Sequence, residues 1–242
     1  MRTLLLLSAM LSNAAADPDW TNTWDSGLSD GELSDENGPQ PTRFRRTPQA
    51  LCSTQVLRDG MQLPKQAELY HIRNANEAWG TSEMIEAITT ASAEMAWLMP
   101  HADPILVGDI SKKNGGHLPP HRSHRSGLDA DIGIFQTGAS MPLSAGFPNM
   151  TPKNIDYEAN WLFWSSLLET GLVERILLDQ TLIDAMRVWT VESGNLSEAE
   201  ALATFPPRGT PRLWTMTGVF QHVPGHRDHI HLRVLCGEAL VN

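Results

Sequence analysis

The sequence predicts an α+β domain: a small, mostly antiparallel sheet flanked by helices. Helix-spaced apolar residues behind capping residues, and short apolar or alternating runs typical of strands, both occur along the chain. The two kinds of segment are mixed without the regular alternation that builds a parallel sheet. At 242 residues the chain is long enough for one domain with a hydrophobic core, or for two small ones.

The elements follow in order. Thr81 is placed to cap a helix whose apolar residues Met84, Ile85, Ile88, Met95 and Leu98 fall at helical spacing and which ends before Pro100. Pro104-Ile-Leu-Val-Gly-Asp-Ile reads as a strand, and residues 128–135 as another. Asp156 opens a helix through Trp161, Trp164, Leu167 and Leu168, which Gly171 stops. Arg175-Ile-Leu-Leu is a short buried strand, followed by a helix over about residues 181–189. Ser197 and Glu200 have capping-box spacing for a further helix toward Phe205, and residues 229–235 form the last strand.

The N-terminal part has a different character. Arg2, a short apolar stretch and Ala14-Ala15-Ala16 have the layout of a secretory signal peptide over residues 1–16, with Asp17 as the first mature residue. Residues 17–50 read as an acidic disordered linker. Between Asp17 and Asn37 there are seven acidic residues and no basic one, before Pro39, Pro41 and the patch Arg43, Arg45, Arg46. Trp20, Trp24 and Phe44 are the linker residues able to dock on the domain, which spans residues 51–242. Export would place the protein in the periplasm. No apolar run reaches the roughly 18 residues of a membrane span. The net charge of −10 argues against nucleic acid as a partner. Cys52 and Cys236 are the only two cysteines. In an oxidising compartment an even count favours one disulfide, with two buried thiols as the alternative. Closing so long a loop is worth roughly 5 kcal/mol in the chain-entropy picture.

Chemistry concentrates in two stretches. His121-Arg-Ser-His124-Arg-Ser-Gly-Leu-Asp129-Ala-Asp131 is answered much later by His226-Arg-Asp-His229-Ile-His231, which together hold five of the chain's nine histidines. Side chains alternate along a strand. Asp129 and Asp131 therefore share one face while Leu128, Ala130, Ile132 and Ile134 enter the core; His229, His231 and Arg233 likewise share a face. Two such strands side by side would gather Asp131, His229 and His231 on one face of the sheet. His124 would arrive from the preceding loop, which Gly127 is free to turn. Imidazoles and carboxylates are zinc ligands, and a catalytic zinc keeps three protein ligands and an open position. The surplus of titratable neighbours suits catalysis better than a closed structural site.

With Asn114-Gly-Gly-His and Gly225-His226-Arg-Asp-His229-Ile-His231-Leu-Arg-Val-Leu-Cys236 added, the chain resembles the penicillin-insensitive murein endopeptidases. These belong to the wider group of zinc peptidases that includes lysostaphin, D-alanyl-D-alanine peptidases and the hedgehog signalling domain. The resemblance continues through Ile105-Leu-Val-Gly-Asp-Ile and, more loosely, over residues 62–79. It covers most of the folded part and none of the linker. It implies one zinc per chain held by His124, Asp131 and His231, with His229 as the base acting on the attacking water. His121 and His226 would be accessory groups. The family pattern has glycine before the position of His121, where this chain has Pro120, so His117 competes for that role; His222 competes with His226, which the spacing favours.

The activity so implied is hydrolysis of the amide joining D-alanine to the side-chain amine of meso-diaminopimelate in peptidoglycan cross-links. A D,D-carboxypeptidase is the alternative within enzymes, and a non-catalytic zinc-dependent binding module the alternative outside them. Muropeptides are the expected partners, and the sequence is silent on oligomeric state.

Overall fold

The computed structural model describes residues 56–138, 146–210 and 219–236. The signal segment 1–16, the linker 17–50 and Cys52 lie outside the described residues. Eight strands occur among the described residues: β1 (Met61–Gln62), β2 (Tyr70–Ile72), β3 (Trp79–Gly80), β4 (Ile105–Val107), β5 (Asp129–Gly133), β6 (Val173–Leu178), β7 (Phe220–His222) and β8 (His229–Val234). The helices are α1 (Ser82–Leu98), α2 (Tyr157–Glu169), α3 (Gln180–Glu192) and α4 (Glu198–Thr204).

Local chemistry sets the helix starts. The hydroxyl of Thr81 accepts from the Met84 N–H at α1, and the Asp156 carboxylate from the Ala159 N–H at α2. Asp179 caps α3 through the Thr181 N–H. At α4, Ser197 and Glu200 form the reciprocal capping box expected from their spacing. Loss of such a cap costs about 1 kcal/mol.

Six strands form the main sheet in the order β2-β4-β5-β8-β6-β7, and β1 pairs with β3 apart from it. The inner pairs β4–β5, β5–β8 and β8–β6 are antiparallel, whereas the outer pairs β2–β4 and β6–β7 are parallel. This is the expected α+β architecture with a mostly antiparallel sheet. Strands β1, β2, β3 and β7 have two or three residues each, too few to show a hydrophobic period. The run expected as a strand over 104–110 is regular only over β4. Beyond it the chain stays tied to β5, through the Gly108 N–H to the Asp131 carbonyl and the Asp131 N–H to the Asp109 carbonyl.

One set of alternating residues makes the core. Ala130, Ile132, Ile134, Ile230, Leu232 and Val234 are buried there with Met84, Ile85 and Ile88 of α1 and Phe163, Trp164 and Leu167 of α2. Fully burying each of the larger side chains contributes roughly 1.5–3 kcal/mol. The other alternation puts Asp131 opposite His231, Asp129 opposite Arg233 and Gly133 opposite His229 in the β5–β8 ladder. A one-residue slip would send all of these to the wrong face, so core packing also fixes the register of the polar set.

Candidate metal centre

Three ligand atoms converge at the middle of the β5–β8 ladder. Nε2 of His124 lies 3.2 Å from Oδ1 of Asp131, Nδ1 of His231 lies 3.1 Å from the same oxygen, and the two nitrogens are 3.3 Å apart. A tetrahedral zinc with bonds of 2.0–2.1 Å holds neighbouring ligand atoms roughly 3.3–3.4 Å apart. The triangle thus has the size of one face of such a tetrahedron, and two imidazoles with one carboxylate are donors that zinc and other first-row metals accept. All three side chains are buried.

The loop carrying His124 turns as its glycine suggested. Gly127 has φ of +73°, and a side chain there would meet the Gly80 backbone at 2.9 Å. The His124 Nδ1–H donates to the Ile110 carbonyl, 3.1 Å away, which leaves the Nε2 lone pair facing the triangle. His231 is turned the other way, with Nδ1 in the triangle and Nε2 donating to Oδ1 of Asp129 at 3.0 Å. Metal-binding histidines characteristically use the second ring nitrogen in this manner.

Around this triangle stand the remaining histidines of the two motifs. His229 directs Nε2 toward Oδ1 of Asp131 at 3.5 Å, while its Nδ1–H donates to Oδ1 of Asp228 at 2.7 Å. Phe147 lies along its ring, with centroids 5.3 Å apart. His226 sits beside both, its ring centroid 5.0 Å from His229 and 6.1 Å from His231. His121 bridges two carboxylates, with Nε2 3.0 Å from Oδ2 of Asp109 and Nδ1 3.5 Å from Oδ2 of Asp131. Ligand atoms of His121, His124 and Asp131 also fall within 4.8 Å of one another, so this second set is able to hold an ion. The first triangle is the tighter, because His121 faces the other oxygen of Asp131 and is also engaged by Asp109.

His117 and His222, the two competitors, stand elsewhere. The His117 ring meets the Arg125 guanidinium, and Nδ1 of His222 accepts the Gln180 N–H at the start of α3. An open cleft of about 690 Å³ beside the end of α1, lined by Met99, His101, Asp103 and Phe135 among others, includes none of the motif histidines.

The electrostatics follow from burial and pairing. Burial opposes ionisation of Asp131, but hydrogen bonds to His124 and His231 outweigh it and hold the carboxyl far below its usual range. For His231 burial disfavours the cation, yet the bonds to Asp129 and Asp131 dominate and push the imidazole up to about 9. His226 moves the other way: burial, then the neighbouring His229 and His231, lower it and favour the neutral ring. Asp109 is held low, its burial outweighed by Arg73 and His121.

Sequence reasoning passed over the partner carboxylates Asp109, Asp129 and Asp228. Two had a signal: Asp129 shares the strand face of Asp131, and Asp228 adjoins His229 within the motif. Arg73, 2.5 Å from Oδ2 of Asp109 and stacked over Phe147, had none.

No curated protein matches the chain at a significant level. The family model of the penicillin-insensitive murein endopeptidases matches residues 52–150, a stretch that carries His121, His124, Asp129 and Asp131 and ends before the second motif. Over residues 52–150 the chain is thereby similar to the penicillin-insensitive murein endopeptidases.

Proposed function

We propose that the protein is an exported zinc endopeptidase that hydrolyses D-alanyl–meso-diaminopimelate cross-links in peptidoglycan. The observation that carries this reading is the triangle of His124, Asp131 and His231, at the ligand spacing of tetrahedral zinc. These residues hold the metal, one ion per chain. Zinc, when bound in such a site, lowers the pKa of a coordinated water to about 7 and polarises the scissile carbonyl.

The chain's own groups move the protons. His229 accepts the proton of the attacking water at Nε2 as the water oxygen bonds to the carbonyl carbon. The same proton passes to the amine nitrogen as the carbon–nitrogen bond breaks. Asp228, bonded to Nδ1, keeps His229 in the tautomer with a free Nε2 and stabilises the transient imidazolium. His226 and His121 flank the reacting atoms as accessory groups. No serine is acylated in this chemistry, so penicillin has no target in it. Export over residues 1–16 and a Cys52–Cys236 disulfide belong to the same proposal.

A D,D-carboxypeptidase would use the same centre and would also need a cation for the terminal carboxylate of its substrate. The His229–Asp228 pair speaks against a purely binding role. The test is digestion of purified cross-linked muropeptide dimers by the mature chain, with and without chelator, followed by mass. Two monomers whose summed mass exceeds the dimer's by one water, lost with chelator and restored by zinc, are expected. Release of D-alanine alone would make the protein a carboxypeptidase; an inert zinc-loaded protein would refute the reading.

A further inference from the structure

A line of buried charge runs away from the triangle through β5, β8 and β6. Both oxygens of Asp129, 1% exposed, are committed: Oδ1 accepts from Nε2 of His231 at 3.0 Å, and Oδ2 from Nη1 of Arg233 at 2.6 Å. Arg233 faces Asp129 directly across the β5–β8 ladder and donates through Nε to Oε2 of Glu174 at 3.0 Å. Glu174, on β6, brings the line out to partial exposure.

Burying such a pair adds little net stability over an apolar pair of similar shape. Folding alone therefore does not account for it. Its effect falls on His231, whose two nitrogens both meet carboxylates. A ring free to flip could offer either nitrogen to the triangle; the anion at Nε2 removes that choice and makes Nδ1 the donor.

We infer that Asp129, anchored by Arg233 and Glu174, is a positioning residue that locks His231 with Nδ1 toward the metal. This rests on the reading of His231 as a ligand. Asparagine offers one acceptor oxygen to two donors, Nε2 of His231 and Nη1 of Arg233, so Asp129→Asn should loosen the lock and weaken zinc binding, referred to the neutral His231 ring, about 10- to 100-fold, the usual effect of such a partner.

The experiment measures zinc affinity of the mature chain by competition with a chromophoric chelator, together with the visible spectrum of the cobalt(II)-loaded protein. Asp129→Asn, the double variant Asp129→Asn/Arg233→Gln and His231→Ala are compared with wild type, with folding checked by circular dichroism. Weakened zinc binding and a shifted cobalt band in the Asp129 variants are expected. The double variant removes both members of the buried pair, so it decides the matter if the single variant fails to fold. Wild-type affinity and spectrum in a folded Asp129 variant, beside lost affinity in His231→Ala, overturn the inference alone. Wild-type affinity in His231→Ala would overturn the ligand assignment and the inference with it.

Discussion

Zinc binding should displace a proton from His231, and the affinity should carry that signature. In the metal-free protein the His231 imidazole lies between Asp129 and Asp131 and holds its proton up to about pH 9. A metal ligand must be neutral, so at pH 7 the site gives up that proton across two pH units, which costs on the order of 3 kcal/mol of binding free energy. Apparent zinc affinity should therefore rise about tenfold per pH unit from pH 6 to 8 and level off for this group above about 9. Asp131, ionised throughout that window, adds no slope of its own. Chelator competition at several pH values measures the slope, and calorimetry in two buffers of different ionisation enthalpy counts the released proton. A linked effect falls on stability. The folded-state value for His231 is raised above the unfolded value of about 6.5, so its stabilisation is fully present below about pH 6.5 and lost as pH rises through about 9. Metal-free protein should lose on the order of 3 kcal/mol across that range from this group, a loss that zinc-loaded protein avoids. Zinc affinity that is flat between pH 6 and 8 would refute the reasoning, because it would mean that no protonated imidazole is displaced.

Three further outcomes are expected. His121→Ala should keep its zinc and lose activity, because His121 stands behind Asp131 and leans on Asp109; zinc loss in metal analysis would favour the set His121, His124 and Asp131 instead. Deleting residues 17–46, an acidic tract with a linker's composition, should leave turnover of soluble muropeptides within a few fold, and a collapse of activity in a folded deletion would refute the linker reading. Cys52→Ser should lower the melting temperature of exported protein without changing the chemistry, and quantitative alkylation of both thiols in native periplasmic material would rule out the bridge.

The polar face of the site was legible in the sequence because its physics is local. Alternation along β5 and β8 puts Asp131 and His231 on the same face of the sheet, and the apolar residues between them exclude a one-residue slip that would bury the polar set in the core. The capped starts of α1, α2 and α4 were readable for a similar reason, since a cap acts within one turn. What escaped is non-local. Arg73 and Asp109 reach the site only because β2 pairs in parallel with β4 and the chain after β4 stays bonded to β5. Neither contact leaves a trace in spacing. Asp129 was placed on the correct face but given no role, because its partner Arg233 is recognised only across the ladder. The choice between His117 and His121 likewise needed the fold, which turns His121 to Asp131 and His117 to Arg125.

The central claim divides the histidines of the last strand: His231 holds the metal, and His229 moves the proton. Zinc content and muropeptide turnover, measured on the same preparations of His231→Ala and His229→Ala, test it most directly. His231→Ala should lose both zinc and activity. His229→Ala should keep zinc at one ion per chain while turnover falls by roughly 10²- to 10⁴-fold, the range of general-base catalysis. If His229→Ala loses its zinc along with its activity, His229 is a fourth ligand, the coordination shell is closed, and the account of a hydrolytic centre is wrong.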